Sequence, residues 1–187
     1  MKELITRLFD TYEDAARAVD ALKRSGIPEA DISIVANRDS YRDTDYVDTA
    51  NGDATVYANT SEAGTGAGIG GTLGAGVGLL TGIGILAIPG LGPVVAAGWL
   101  AATAVGAAAG AVGGGVIGAM VDSGVPEADA HVYAEGVRRG GTLVTVRTEQ
   151  PASAYRILDN YTAVDIAARR SRYAETGWRE FDSTDAR

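Results

Sequence analysis

Cysteine is absent from this chain, and histidine occurs once, at position 131. The first absence excludes disulfides, thiolate chemistry and every cysteine-based metal site. The second leaves a transition metal with carboxylates alone, a poor donor set, so no metal is expected. His131 lies among Ala130, Val132 and Tyr133 on an expected helix and reads as a packing or surface residue. Aromatics are also scarce, at 6% against 46% hydrophobic residues, so glycine and alanine carry much of the apolar count. Basic residues are outnumbered, giving a net charge of −8 and a pI near 4.6. Phosphate neutralisation needs a basic stripe, and Arg169, Arg170 and Arg172 form the one basic cluster, so nucleic acid is not an expected partner. No G-x-S-x-G or comparable nucleophile context occurs, and Glu127 with Asp129 fits charge stabilisation of a helix N-terminus as well as acid-base work. No catalytic residue, no cofactor and no enzyme activity are expected.

What is present divides the 187 residues into soluble flanks and an uncharged middle. The N-terminus, MKELITRLFD, carries charge where a signal peptide needs its apolar centre, which predicts folding in the cytosol. Residues 2–8 suit a strand. Asp10 with Glu13 suits a capping box, and a helix over 11–25 is expected to end at Gly26. DISIVA then suits a second strand. Residues 37–62 form an acidic, polar loop, and its DTDYVDTANGD fails the spacing of a calcium loop. After Asp122, PEADAHVYAEGVRRGG suits a helix, TLVTVRT a strand, 151–160 a helix and AVDIAA (163–168) a last edge strand. SGIPEAD at 25–31 recurs as SGVPEAD at 123–129, a glycine stop followed by a proline restart.

From Ala63 to Val121 there are 59 residues without Asp, Glu, Lys or Arg, holding 19 of the 26 glycines. Gly66, Gly68 and Gly71 match the dinucleotide fingerprint, but no buried strand delivers them and no Lys-Ser or Lys-Thr follows. A four-residue spacing is the stronger signal: Gly66, Gly70, Gly74, Gly78 and Gly82, then Gly98, Ala102, Gly106, Gly110, Gly114 and Gly118. Such a row lies on one helix face and lets two backbones approach closely. The eight glycines of residues 67–87 would weaken an isolated helix by about 8 kcal/mol, so partners must stabilise it. Pro89, Gly90, Gly92 and Pro93 mark the turn between two apolar segments. A β reading competes because GVG and GIG also alternate with period two. Glycine-rich strands slip register, however, and the second segment is alanine-rich, so a glycine-zipper helical hairpin is expected.

The expected fold is α+β: a ferredoxin-like β-α-β / β-α-β domain with this hairpin inserted. Its parts are 1–36 (first half), 37–62 (acidic loop), 63–121 (hairpin), 122–167 (second half) and 168–187 (polar tail). The opening ITRLFDTYEDAARAVDALKRSGIPEADISIV resembles the heat-induced general stress protein domain of YflT type. ILAIPGLGPVVAAGWLAA, GVPEADAHVYAEGVRRGGTLVTV and the closing GWREFD are similar to glycine-rich bacterial members of that family. The resemblance implies a bacterial, stress-linked protein without an established enzymatic activity, and it supplies no catalytic residues.

The chain's expected principal partner is itself. Helices of about 21 and 27 residues would measure roughly 32 and 40 Å, enough to cross a bilayer core, and membrane lipid is therefore a second expected partner. Localisation is expected in the cytoplasm or on the cytoplasmic face of the inner membrane. The alternatives are a soluble homo-oligomeric scaffold or compartment with the hairpins as its buried core, and a small-ligand sensor using the acidic loop as a lid. Tyr173, Trp178 and Phe181 form a candidate tail anchor that docks on a neighbouring subunit.

Overall fold

The computed structural model describes residues 2–38, 40, 84–88, 91–100 and 115–182. Five strands form one sheet in the order β1-β5-β2-β4-β3: β1 is Glu3–Phe9, β2 Ile32–Asn37, β3 Gly84–Ile88, β4 Gly92–Gly98 and β5 Thr142–Thr148. Every neighbouring pair is antiparallel, so β1 and β2 run parallel with β5 between them. The described helices are α1 (Tyr12–Arg24), α2 (Gly115–Asp122), α3 (Glu127–Arg138), α4 (Pro151–Asp159) and α5 (Ile166–Glu175).

Alternation along the strands builds two cores, one on each face. Ile5, Phe9, Ile32, Ile34, Val144 and Val146 pack with the apolar side of α1 (Ala15, Val19, Leu22) and with Leu158 of α4. The intervening residues Leu8, Val35, Val94, Ala96 and Leu143 face the other way, onto Met120 of α2 and Ala130, Ala134 and Val137 of α3. The fold class is therefore α+β, as expected.

Three finer expectations are corrected. The expected closing strand at 163–168 does not form. Val164 gives one hydrogen bond, N–H to the Leu8 carbonyl at 2.8 Å, and Asp165 then caps α5 by accepting from the N–H groups of Ala167 and Ala168. A carboxylate placed to satisfy two orphan helix donors outweighs two more residues of edge pairing. The helix α1 is capped by Thr11, whose Oγ1 accepts from the Asp14 N–H at 3.2 Å, one residue beyond the expected Asp10/Glu13 box. Thirdly, the described part of the middle is helical at 99–100 and 115–121 but not at 84–88 or 92–98. The segments 84–88 and 92–98 are strands that extend the sheet past β2, so the four-stranded ferredoxin-like arrangement is not the one found.

Gly92 and Pro93, expected in the turn, open β4 as the partners of Ile88 and Ala87. Gly98 closes β4 with φ +91°, and a Cβ there would stand 2.2 Å from the Ile32 carbonyl oxygen. Its smallness serves a close approach of strand to strand, not of helix to helix. Among the described residues, an added Cβ at Gly118 on α2 would meet nothing within 4 Å. Of the remaining expected zipper and turn positions, Gly66, Gly70, Gly74, Gly78, Gly82, Ala102, Gly106, Gly110, Gly114, Pro89 and Gly90 lie outside the described residues.

The two sheet edges differ. Because the Leu8 carbonyl accepts from Val164, the even-numbered residues of β1 present their main-chain groups away from β5. Carried through the four registers, this alternation leaves the main-chain groups of Ile85 and Ala87 pointing away from β4 at the far edge. The same parity puts the missing N–H of Pro93 beyond the end of β2, where no ladder bond is lost. Among the described residues, no strand pairs with β3 on that side.

Candidate functional site

Two clusters of charge stand out from the packed cores. The first is at the end of α1. There SGIPEAD turns the chain: Gly26 takes φ +92°, the Ser25 hydroxyl donates to the Leu22 carbonyl at 2.7 Å, and Pro28 leads a short 3-10 turn, Glu29–Asp31. Asp31 is 6% exposed and is held by Lys2 Nζ at 2.5 Å and Arg147 Nε at 3.7 Å. Arg147 also lies 4.4 Å from the centre of the Trp99 ring. A cavity of about 210 Å³ opens here, lined by Lys2, Ser25, Asp31, Arg147, Glu149 and Ser153 among others. Drug-sized ligands occupy about 300–1,000 Å³, and here two cations face two carboxylates, so neither size nor net charge selects a ligand.

The second cluster is built on α3. Glu135 is fully buried, 0% exposed, on the helix face that meets the C-terminal segment. Its neighbours one turn on, at i+3 and i+4, reach back to it. Arg138 donates from Nε to Oε2 at 2.8 Å and from Nη2 to Oε1 at 2.9 Å, while Arg139 donates from Nε to Oε1 at 2.5 Å. A buried carboxylate is tolerated only when paired and hydrogen-bonded, and this one has two guanidinium groups whose outer sides reach water. The arginines in turn stack on aromatics: Arg139 stands 4.3 Å from the Tyr173 ring centre and Arg138 stands 5.9 Å from that of Phe181.

The sequence EGVRRGG at the end of α3 is thereby accounted for almost residue by residue. Gly136 lets the helix lie on β1, since an added Cβ would come within 2.4 Å of Leu8 Cδ2. Gly140 takes φ +99° to end the helix, and Gly141 sits 2.9 to 3.0 Å, by an added Cβ, from the carbonyl oxygens of Gly136 and Phe9. Tyr133, one helical turn before Val137, donates its hydroxyl to the Thr6 carbonyl at 3.2 Å and is 6% exposed. Desolvation on burial pushes its pKa up to about 12, against a smaller opposing effect of Arg7.

The candidate tail anchor is seated on this chain's own α3. Tyr173 (4% exposed) and Phe181 (8%) are buried, and Trp178 meets Tyr173 edge-on with centroids 5.5 Å apart. His131 receives the Phe181 N–H on Nδ1 at 3.2 Å. Sequence reasoning missed Glu135 and Gly136. The signal for both was an acid followed at i+3 and i+4 by arginines within a glycine-flanked phrase, which fits an exposed helix face equally well until the tail is folded over it. Among the described residues, no group of three or more His, Asp or Glu side chains could hold a metal.

Among the described residues of this α+β domain, ion pairs such as Lys2–Asp31 and Arg170–Asp129 tie distant segments together. Residues 5–84 match the heat induced stress protein YflT domain, the family that the opening sequence resembles. The match takes in β1, α1 and β2 and reaches the first residue of β3. The central strand β5 comes from beyond it. No curated protein and no solved structure matches the chain.

Proposed function

We propose that this chain is a non-enzymatic, stress-associated bacterial protein that self-assembles through its uncharged middle, displaying the α+β domain around the assembly. The stress role is supported by the family match over residues 5–84. The observation that carries self-assembly is the edge of the sheet. β3 and β4 come from the uncharged run, and β3 (GILAI) has no charge and no proline of the kind that keeps edge strands apart. The β1 edge, by contrast, carries Glu3, Arg7 and the Val164 contact. For the stretches outside the described residues, the four-residue rows Gly66 to Gly82 and Ala102 to Gly114 are the argument for close packing of small faces, in helical pairs such as a glycine zipper.

Residues 84–88 and 92–98 would have to leave the sheet to enter lipid, which favours association between copies as the first reading to test. Among the described residues, no helix is long and apolar enough to cross a membrane. Native mass measured with and without detergent tests the reading. A particle of several copies without detergent supports it, and a monomer in both conditions overturns it. Gly74→Leu or Gly110→Leu is expected to reduce the mass, and an unchanged mass in both would remove the small-face contact.

A further inference from the structure

The outer strands of the sheet are finished in different ways. On β1 the outward carbonyls are taken. That of Thr6 accepts from the Tyr133 hydroxyl at 3.2 Å and from Arg7 Nη1 at 3.1 Å, and that of Leu8 accepts from the Val164 N–H at 2.8 Å. On β3 the outward groups are the N–H and C=O of Ile85 and of Ala87, and among the described residues no strand meets them. Gly84, Leu86 and Ile88 spend their main-chain groups on Ala96, Val94 and Gly92 of β4. The strand reads GILAI, with no charge to repel a copy of itself and no proline to remove a donor.

We propose that β3 of one copy pairs antiparallel with β3 of a second copy, about a two-fold axis at Leu86. This rests on the self-assembly reading above and deepens it, naming the surface through which two copies meet. Outward residues must face outward residues, so within the strand the register is Ile85 opposite Ile85, Ile85 opposite Ala87, or Ala87 opposite Ala87. Only the middle register overlaps all of Gly84–Ile88, and it alone puts both outward residues of each strand into bonded pairs. Each of these residues then gives its N–H and accepts on its C=O, so no outward group of the strand is left over. The pairing is self-complementary and closes at two copies, giving a continuous sheet in the order β1-β5-β2-β4-β3-β3-β4-β2-β5-β1. The occupied carbonyls of β1 terminate that sheet at both ends, which keeps edge-to-edge pairing from running on as a fibre.

The absence of cysteine makes the register directly readable in the full chain. In this pairing Leu86 stands opposite its own counterpart in a non-bonded pair, with Cα atoms about 4.5 Å apart, inside the range a disulfide spans. Ile88 stands opposite Gly84, so the two Ile88 residues lie about 14 Å apart, out of reach of one another. On mild oxidation Leu86→Cys is expected to form a covalent dimer on non-reducing gels about tenfold faster than Ile88→Cys. A second variant needs no oxidant. Ala87→Pro removes an outward N–H and leaves every bond of β3 to β4 in place. Two N–H groups from each copy make four bonds, of which this variant takes away two. By native mass, the concentration of half-association is expected to rise about thirtyfold. An unchanged value, or equal cross-linking of Leu86→Cys and Ile88→Cys, would overturn the proposal. A particle of several copies in which Leu86→Cys does not cross-link overturns the edge pairing and keeps self-assembly, whereas a monomer at every concentration overturns both.

Discussion

Seven residues occur twice in this chain with one conservative change, Ile27 against Val125, and the two copies begin alike and end differently. In both, a serine hydroxyl donates to a carbonyl of the helix before it, Ser25 to Leu22 at 2.7 Å and Ser123 to Ala119 at 2.6 Å. In both, a glycine with positive φ, +92° at Gly26 and +99° at Gly124, reverses the chain. The apolar residue after it returns its N–H to the preceding helix, Ile27 to Leu22 and Val125 to Met120. Both aspartates give their N–H to the proline carbonyl at 2.9 Å. Then the copies part. ISIVAN enters the sheet as β2, whereas AHVYAEGV continues as α3. The heptad specifies a helix stop and a restart, and the apolar spacing of the residues after it, period two against period 3.6, decides the element.

The carboxylates that end the two copies show how placement changes the worth of one residue. Asp31 is buried between Lys2 and Arg147, while Asp129 pairs with Arg170 with its side chain about one-third exposed.

The largest expected effect concerns the continuation that only the second copy has. Arg138→Met with Arg139→Met strands the buried Glu135 and is expected to lower stability by about 3–5 kcal/mol in urea unfolding. A loss under about 1 kcal/mol would mean that the carboxylate reaches water. Next, Asp31→Asn is expected to cost about 2 kcal/mol and Asp129→Asn about 0.5 kcal/mol, because the buried acid makes the stronger charge-assisted bonds. Equal losses would break the distinction between the copies. Gly26→Ala and Gly124→Ala are expected to cost about 1 kcal/mol each, and equally. Among the described residues an added Cβ meets nothing within 4 Å at either site, which leaves the strain of a positive φ.

At neutral pH, Tyr133→Phe is expected to cost about 1 kcal/mol from the lost bond to Thr6. Its pH dependence is more telling. The folded pKa of about 12 lies above the ordinary 10, so burial stabilises the neutral phenol. That contribution is complete below pH 10 and is lost as pH rises through 10 to 12. Stability of the parent should therefore fall across that interval more steeply than that of Tyr133→Phe, as followed by urea midpoints. Parallel slopes would place Tyr133 in water. The strand β2, which continues the first copy, contains no tyrosine and adds nothing to this limb.

Much of the flanking domain was legible. TLVTVRT alternates and is β5, the apolar stripe Ala15, Val19 and Leu22 is the buried side of α1, and Gly26 and Gly124 stop helices. The middle was not, for a physical reason. With no charge and few large side chains, GILAI and GPVVAAG fit a helical and a strand period about equally well. What fixes them as strands is the free edge of β2, with Ser33 opposite Gly98 and Asn37 opposite Val94. Likewise AVDIAA alternates like a strand, but the neighbouring cap at Asp165 takes the chain into α5 after a single bond to β1. The seating of the tail was visible only as three aromatics among charges. Nothing in their spacing says that Phe181 sits beside His131, fifty positions earlier.

By itself, the order of residues determined where helices stop, which flanking segments alternate, that thiol chemistry is impossible, and that one long run carries no charge. These are local properties of composition, φ and spacing. Tertiary structure alone decided that β5 separates β1 from β2, that Glu135 is inside, and that Phe181 closes over α3. Each of these depends on which distant groups share a neighbourhood, and the free energy of burying a charge or completing a sheet exists only once those groups have met.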